Sequence, residues 1–101
     1  MFYEATTKVP GGKLIRVKID ADDHVNAVHI YGDFFLHPED ALPSVEKELS
    51  GMSKTATADE ITALIQAGLK PHKAAFVGVS PEDVAETILA ALAAPKPAEV
   101  Q

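Results

Sequence analysis

Four histidines, His24, His29, His37 and His72, are the side chains best able to hold a metal or move a proton near neutral pH. None is spaced as the i, i+4 pair of a helical zinc site and no cysteine assists, so surface positions explain them better than a metal centre. His37 stands close in sequence to Asp33, Glu39 and Asp40, residue types that general acid–base chemistry uses. A histidine ahead of a helix-opening proline is also a common capping or solvent residue, and a small enzyme built on His37 with Asp33 or Asp40 would need a pocket that nothing in the sequence supplies. Gly11-Gly12-Lys13 has the composition of a backbone nest that offers amides and an ammonium to a phosphate, yet the P-loop spacing and its hydroxyl residue are missing, and a tight turn between two strands is the better reading. No nucleophile elbow, no serine placed with histidine and acid, and no glycine-rich dinucleotide fingerprint occurs. The expectation is a chain with no catalytic residues and no metal of its own.

A second chemistry-bearing stretch is Gly32-Asp33-Phe34-Phe35-Leu36-His37-Pro38-Glu39-Asp40. Side chains alternate faces along an extended segment, so Phe34 and Phe35 cannot both enter one core unless the chain bends there. Either both are core aromatics at a bend, or one is core and the other serves an interface, with Asp33 and His37 as neighbours on the same stretch.

The elements that hold these residues are legible from periodicity. Phe2 to Val9 alternates in polarity before Pro10-Gly11-Gly12 interrupts it. Lys13 to Asp20 sets Ile15, Val17 and Ile19 against Arg16, Lys18 and Asp20, the period-2 pattern of a half-buried strand. After the turn cluster Ala21-Asp22-Asp23, His24 to Tyr31 resumes alternation with Val28 and Ile30 inward, which predicts an antiparallel three-stranded meander. Pro38-Glu39-Asp40 and the helical recurrence of Leu42, Val45 and Leu49 predict a short turn over 38–41 and a helix from Leu42 to Ser50, displaced by Pro43 and closed by Gly51. Thr57-Ala58-Asp59-Glu60 is a capping box opening a helix with the stripe Ile61, Leu64, Ile65 and Leu69, which Gly68 or Pro71 should stop. Ala74 to Val79 reads as a further strand or a buried connector. Ser80-Pro81-Glu82-Asp83 opens a last helix with the stripe Val84, Ile88, Leu89 and Leu92.

Size and charge narrow the function classes. At 101 residues, 47% apolar and 24% charged, the chain suits one folded domain and not two. Residues 1–94 are expected to form it, and 95–101, with Pro95 and Pro97, to be a disordered tail. The net charge of −6 repels phosphate backbones and argues against nucleic acid as a partner. The N-terminus lacks the basic-then-apolar order of a leader, and no run approaches the roughly 18 apolar residues of a membrane span, so a cytoplasmic protein without membrane contact is expected.

Three ordered landmarks, Gly11-Gly12-Lys13-Leu14-Ile15-Arg16-Val17, then Gly32-Asp33-Phe34-Phe35 with its proline and acids, then Leu49-Ser50-Gly51, resemble the accessory (C-terminal) domain of lipoate-protein ligases. The likeness runs from Tyr3 to about Leu92, and a separate chain of this size is similar to the accessory subunit of a two-part ligase. The resemblance implies an α/β (α+β) fold, a small three-stranded, mostly antiparallel sheet with about three helices packed on one face, of a kind shared with iron–sulfur scaffold proteins. Without cysteine this chain cannot ligate a cluster as they do. It further implies a non-catalytic subunit that forms a heterodimer with a catalytic subunit carrying the catalytic lysine, and that supports ATP-dependent lipoate activation. ATP, Mg and lipoate then belong to the complex, none is bound by this chain alone, and lipoyl-acceptor domains are indirect partners. On this view Phe34, Phe35, Asp33 and His37 are interface candidates, and Gly11, Gly12 and Lys13 lie toward the ligand. The alternative is a stand-alone protein-interaction module using the solvent face of its sheet.

Overall fold

The computed structural model describes residues 1–11 and 13–93; Gly12 and the 95–101 segment expected as a tail lie outside the described residues. Strands β1 (Phe2–Lys8), β2 (Leu14–Ala21) and β3 (Val25–Gly32) form an antiparallel sheet in the order β1-β2-β3. Tyr3 faces Ile19, which faces Val28, and Ala5 faces Val17, which faces Ile30. These pairs line one face and are buried, Ala5 only partly, while Glu4, Arg16, Lys18, His29 and Tyr31 occupy the other and are exposed. Period-2 patterning thus decides which face takes the helices.

Three helices cover the apolar face. Helix α1 (Ala41–Leu49) starts one residue earlier than the periodicity predicts, because Pro43 is its third residue. The first four amides of a helix have no intrahelical acceptor, and the carbonyl four residues before Pro43 belongs to Glu39, outside the helix, so the ring disturbs neither. The predicted turn is present ahead of it, with the Ala41 amide donating to the Pro38 carbonyl at 3.1 Å. Ala41, Val45 and Leu49 form the buried stripe.

Helix α2 (Ala58–Leu69) opens on the expected capping box. The Glu60 amide donates to Thr57 Oγ1 at 3.2 Å, and the Thr57 amide donates to Glu60 Oε1 at 2.8 Å. Of the two stops expected, Gly68 does not end this helix, which runs on to Leu69 and gives way over Lys70–His72 to a 3-10 turn that includes Pro71. A Cβ at Gly68 would stand 2.5 Å from Val45 Cα, so the glycine marks where α2 crosses the backbone of α1. Helix α3 (Pro81–Ala93) opens on Ser80, whose hydroxyl accepts from the Asp83 amide at 3.1 Å while Asp83 accepts from the Ser80 amide at 3.0 Å. Its buried face is Val84, Ala85, Thr87, Ile88 and Ala91, and Leu89 and Leu92, assigned to the stripe from spacing, are half-buried at its margins.

Fully buried Ile15, Ile19, Leu49, Ile61, Ile65 and Ile88 join the sheet and all three helices in one core. The outer edge of β3 is closed by α1 and the segment after it. The Ile30 amide donates to Glu46 Oε2 at 2.9 Å, Ser50 Oγ to the Asn26 carbonyl at 2.7 Å, and the Val25 amide to the Met52 carbonyl at 3.0 Å. An otherwise open strand edge is thereby satisfied by side chain and loop.

The Ala74 to Val79 segment resolves to a strand, β5 (Ala75–Val77), paired antiparallel with β4 (Phe35–His37) as a separate two-stranded ribbon. The fold is α+β, with this ribbon added to the expected meander and helices.

Candidate functional site

Lys13, Gly32 and Asp33, singled out from sequence, lie at the end of the sheet where β1 turns into β2. Gly32 ends β3 opposite Ile15, and a Cβ there would collide with the Leu14 carbonyl oxygen, so only glycine lets β3 lie this close to β2. Asp33 follows, and its Oδ1 accepts from the Leu14 amide at 2.6 Å while its own amide donates to the Leu14 carbonyl at 3.3 Å. The Asp33 carboxylate, an interface candidate from sequence, ties the β3–β4 turn to the start of β2. The hairpin closes on its other side through the Val9 amide, which donates to the Lys13 carbonyl at 2.9 Å. The Lys13 stem lies alongside Gly78, just past β5.

The two phenylalanines part company. Phe34 is half-buried and packs edge-on against Phe76, with ring centroids 5.6 Å apart and planes at 69°. Phe35, the first residue of β4, points the other way and is 68% exposed. Its partner across the ribbon is Val77, 54% exposed, and the next pair on the same face is His37 with Ala75, also exposed. Between them Leu36 and Phe76 face inward. A short ribbon with one apolar face turned to the core and a second to solvent has surface to spare for contact with another molecule.

Beside the ribbon runs an open groove of about 330 Å³ lined by Tyr31, Phe34, Phe35, Leu36, Glu39 and Leu42, among others. Apart from the Glu39 carboxylate, these lining side chains offer hydrophobic contact and a phenol. His37 and Asp33 are not brought together, since Asp33 is engaged with Leu14 and His37 lies at the far end of β4. His24, His29 and His72 are exposed and scattered, and among the described residues no group of three or more His, Cys, Asp or Glu side chains is placed to hold a metal ion. Among the described residues, no helix is long and apolar enough to cross a membrane.

Tyr31, outward by the alternation of its strand, and Val77 complete the surface around Phe35, and Val77 was not marked by sequence reasoning. An apolar residue in a short β-like run carries no local sign of which face is covered; only the pairing of β4 with β5 puts Val77 outward.

The geometry defines a small α+β domain whose most distinctive surface is apolar and aromatic, suited to contact with a macromolecule. No family model matches the chain. It is 35% identical over 89 residues to lipoate-protein ligase A subunit 2 of Thermoplasma acidophilum, which covers 87% of this chain and 88% of that protein. Its fold superposes with a TM-score of 0.70 and 32% identity on a chain from a structural analysis of an archaeal lipoylation system, the bi-partite lipoate protein ligase of T. acidophilum and its E2 lipoyl domain, over 87% of this chain and 94% of that one. The chain belongs to the lipoate-protein ligase A subunit 2 family.

Proposed function

We propose that this chain is the non-catalytic second subunit of a two-part lipoate-protein ligase, working in the cytoplasm as a heterodimer with the catalytic subunit. In that complex lipoate is activated by ATP with Mg: a carboxylate oxygen attacks the α-phosphorus, pyrophosphate leaves, and a lysine amine of a lipoyl-acceptor domain then attacks the lipoyl-adenylate carbonyl to form the amide, giving up a proton and releasing AMP. The observation that carries the reading is similarity over 87% of this chain to a protein named as subunit 2, together with likeness to a chain from a structural analysis of a bi-partite ligase and its E2 lipoyl domain.

The physical contribution of such a subunit is closure. Charge develops on the phosphate during adenylation, and a docked domain that excludes water makes each positioned donor on the catalytic subunit more effective than in bulk solvent. Phe35 is the interface anchor, with Phe34 behind it as support and His37 beside it. Gly11 and Lys13 sit at the same end of the domain, which would bring the hairpin turn toward the ligand side of the complex.

Lipoate-dependent exchange between ATP and pyrophosphate, measured on the catalytic subunit with and without this chain, tests the reading. Exchange should rise when the chain is added. Equal exchange in its absence refutes the accessory role, and exchange by the chain alone refutes its non-catalytic status.

A further inference from the structure

Charge and apolar exposure are unevenly distributed over this molecule, and they coincide. Residues 8–18 hold four of the nine Lys and Arg, Lys8, Lys13, Arg16 and Lys18, and none of the fifteen Asp and Glu. The rest of the chain therefore carries five cations against all fifteen acids, so residues 8–18 are a cationic stretch of a protein of net charge −6, bounded by Glu4 and Asp20 farther along the same two strands and by the Asp33 carboxylate at Leu14. Lys18 is near Glu4 at 3.9 Å; among the described residues, the ion pairs involve none of the other three.

The exposed apolar side chains meet the hairpin at this end. Arg16 is directly opposite Tyr31 across β2 and β3, on the solvent face. Tyr31, 44% exposed, shares the open groove with Phe35, and Phe35 is opposite Val77. Val77 adjoins Gly78, against which the Lys13 stem lies. Arg16, Tyr31, Phe35, Val77 and Lys13 thus form one continuous surface, held in place by the Asp33 bond to Leu14. Arginine and aromatic residues around an apolar centre are the side chains that concentrate binding energy in protein interfaces, and a pinned hairpin loses little entropy on docking.

We infer that this surface docks on the catalytic subunit, with Phe35 and Val77 entering an apolar pocket and the Lys13 and Arg16 cations meeting a carboxylate-rich rim on that subunit. The inference rests on the reading of the chain as a second ligase subunit and adds the chemistry of the partner's matching face. It assigns the hairpin cations to protein carboxylates and not to the nucleotide.

The test is titration of the purified catalytic subunit with wild-type chain, F35A, the double variant K13E/R16E, and K54E as a control. Lys54 binds the Asp22 carbonyl at the opposite end of the strands. F35A should weaken binding by about 30-fold or more, the effect of losing a hot-spot aromatic. K13E/R16E should lower the association rate at least several-fold and flatten the dependence of affinity on salt, as expected when opposite charges steer docking. K54E should bind as wild type. Circular dichroism should report wild-type folding for all, since each altered side chain is partly or wholly exposed. At saturating subunit, the KM for ATP should not move in K13E/R16E.

If wild-type chain binds but F35A and K13E/R16E bind equally well, this docking surface is refuted while the accessory role stands. A raised KM for ATP with unchanged subunit affinity overturns the assignment of the cations to the partner protein. Failure of wild-type chain to bind removes the reading and this inference together.

Discussion

Replacing Gly68 with alanine sets two well-characterised effects against each other inside α2. Helix propensity favours the change by up to about 1 kcal/mol, because glycine is the worst non-proline residue in a helix interior. Packing opposes it. The added methyl would lie 2.5 Å from Val45 Cα, 2.8 Å from the Val45 amide nitrogen and 3.0 Å from the Ser44 carbonyl oxygen. All three are backbone atoms of α1, which cannot rotate away as a side chain would. To reach a carbon–carbon contact of ~3.5 Å the two helices must part by about 1 Å, and a gap of that order forfeits a quarter to a half of each dispersion contact across the seam. Fully buried Val45, Ile61 and Ile65 are the side chains exposed to that loss. Overpacking costs about 1–3 kcal/mol, and a clash with three backbone atoms belongs to the upper part of that range, about 2–3 kcal/mol, which leaves a net loss of about 1–2 kcal/mol after the propensity gain. For a domain of this size each 1 kcal/mol lowers the melting midpoint by roughly 4–8 °C, so G68A should melt about 5–15 °C below wild type. Thermal unfolding followed by circular dichroism, with urea titration as a second measure, reads it directly. The reverse substitution next door, A67G, is the control: Ala67 is exposed on the same helix, and only propensity acts there, at about 0.5–1 kcal/mol. Both variants should be destabilised although they are opposite changes at adjacent residues. A G68A protein as stable as wild type, or more so, would refute the close crossing of α1 and α2.

Two further outcomes follow from hydrogen bonds that hold the site in place. D33A removes the acceptor of the Leu14 amide and should cost about 1 kcal/mol of stability, with the largest rise in amide hydrogen exchange at Leu14; unchanged protection at Leu14 would show that Asp33 does not pin the hairpin. E46A leaves the part-buried Ile30 amide without its partner and should cost about 1–3 kcal/mol in urea unfolding, whereas E46Q keeps an acceptor oxygen and should recover much of that loss; equal loss in both would assign the effect to the charge near His29 and not to the strand edge.

The meander, its inward face and the starts of α2 and α3 were readable before any coordinates, because each is encoded within a few residues. Ile15, Val17 and Ile19 alternate with Arg16, Lys18 and Asp20, and Thr57 and Ser80 lie three residues ahead of Glu60 and Asp83, the reach of one helical turn. The same local rules were weaker where two of them competed. Pro43 argued for a later start to α1 and is accommodated in its first turn; Gly68 argued for an early end to α2 and is kept for packing.

Sequence by itself determined that this protein has no cysteine chemistry, that its net charge opposes a phosphate backbone, and that Phe34 and Phe35 face opposite ways unless the chain bends between them. It also carried enough ordered landmarks to point to the accessory domain of lipoate-protein ligases, which the similarity to a second ligase subunit bears out. Only the tertiary structure decided that Phe34 turns inward onto Phe76 and Phe35 outward, that Val77 extends the exposed patch, and that Asp33 serves the hairpin backbone. Periodicity and caps depend on neighbours one or two turns away, whereas those outcomes depend on which distant segment the folded chain brings alongside. Asp33 meets Leu14 across 19 residues, and Phe35 meets Val77 only after α1 and α2 have crossed between them.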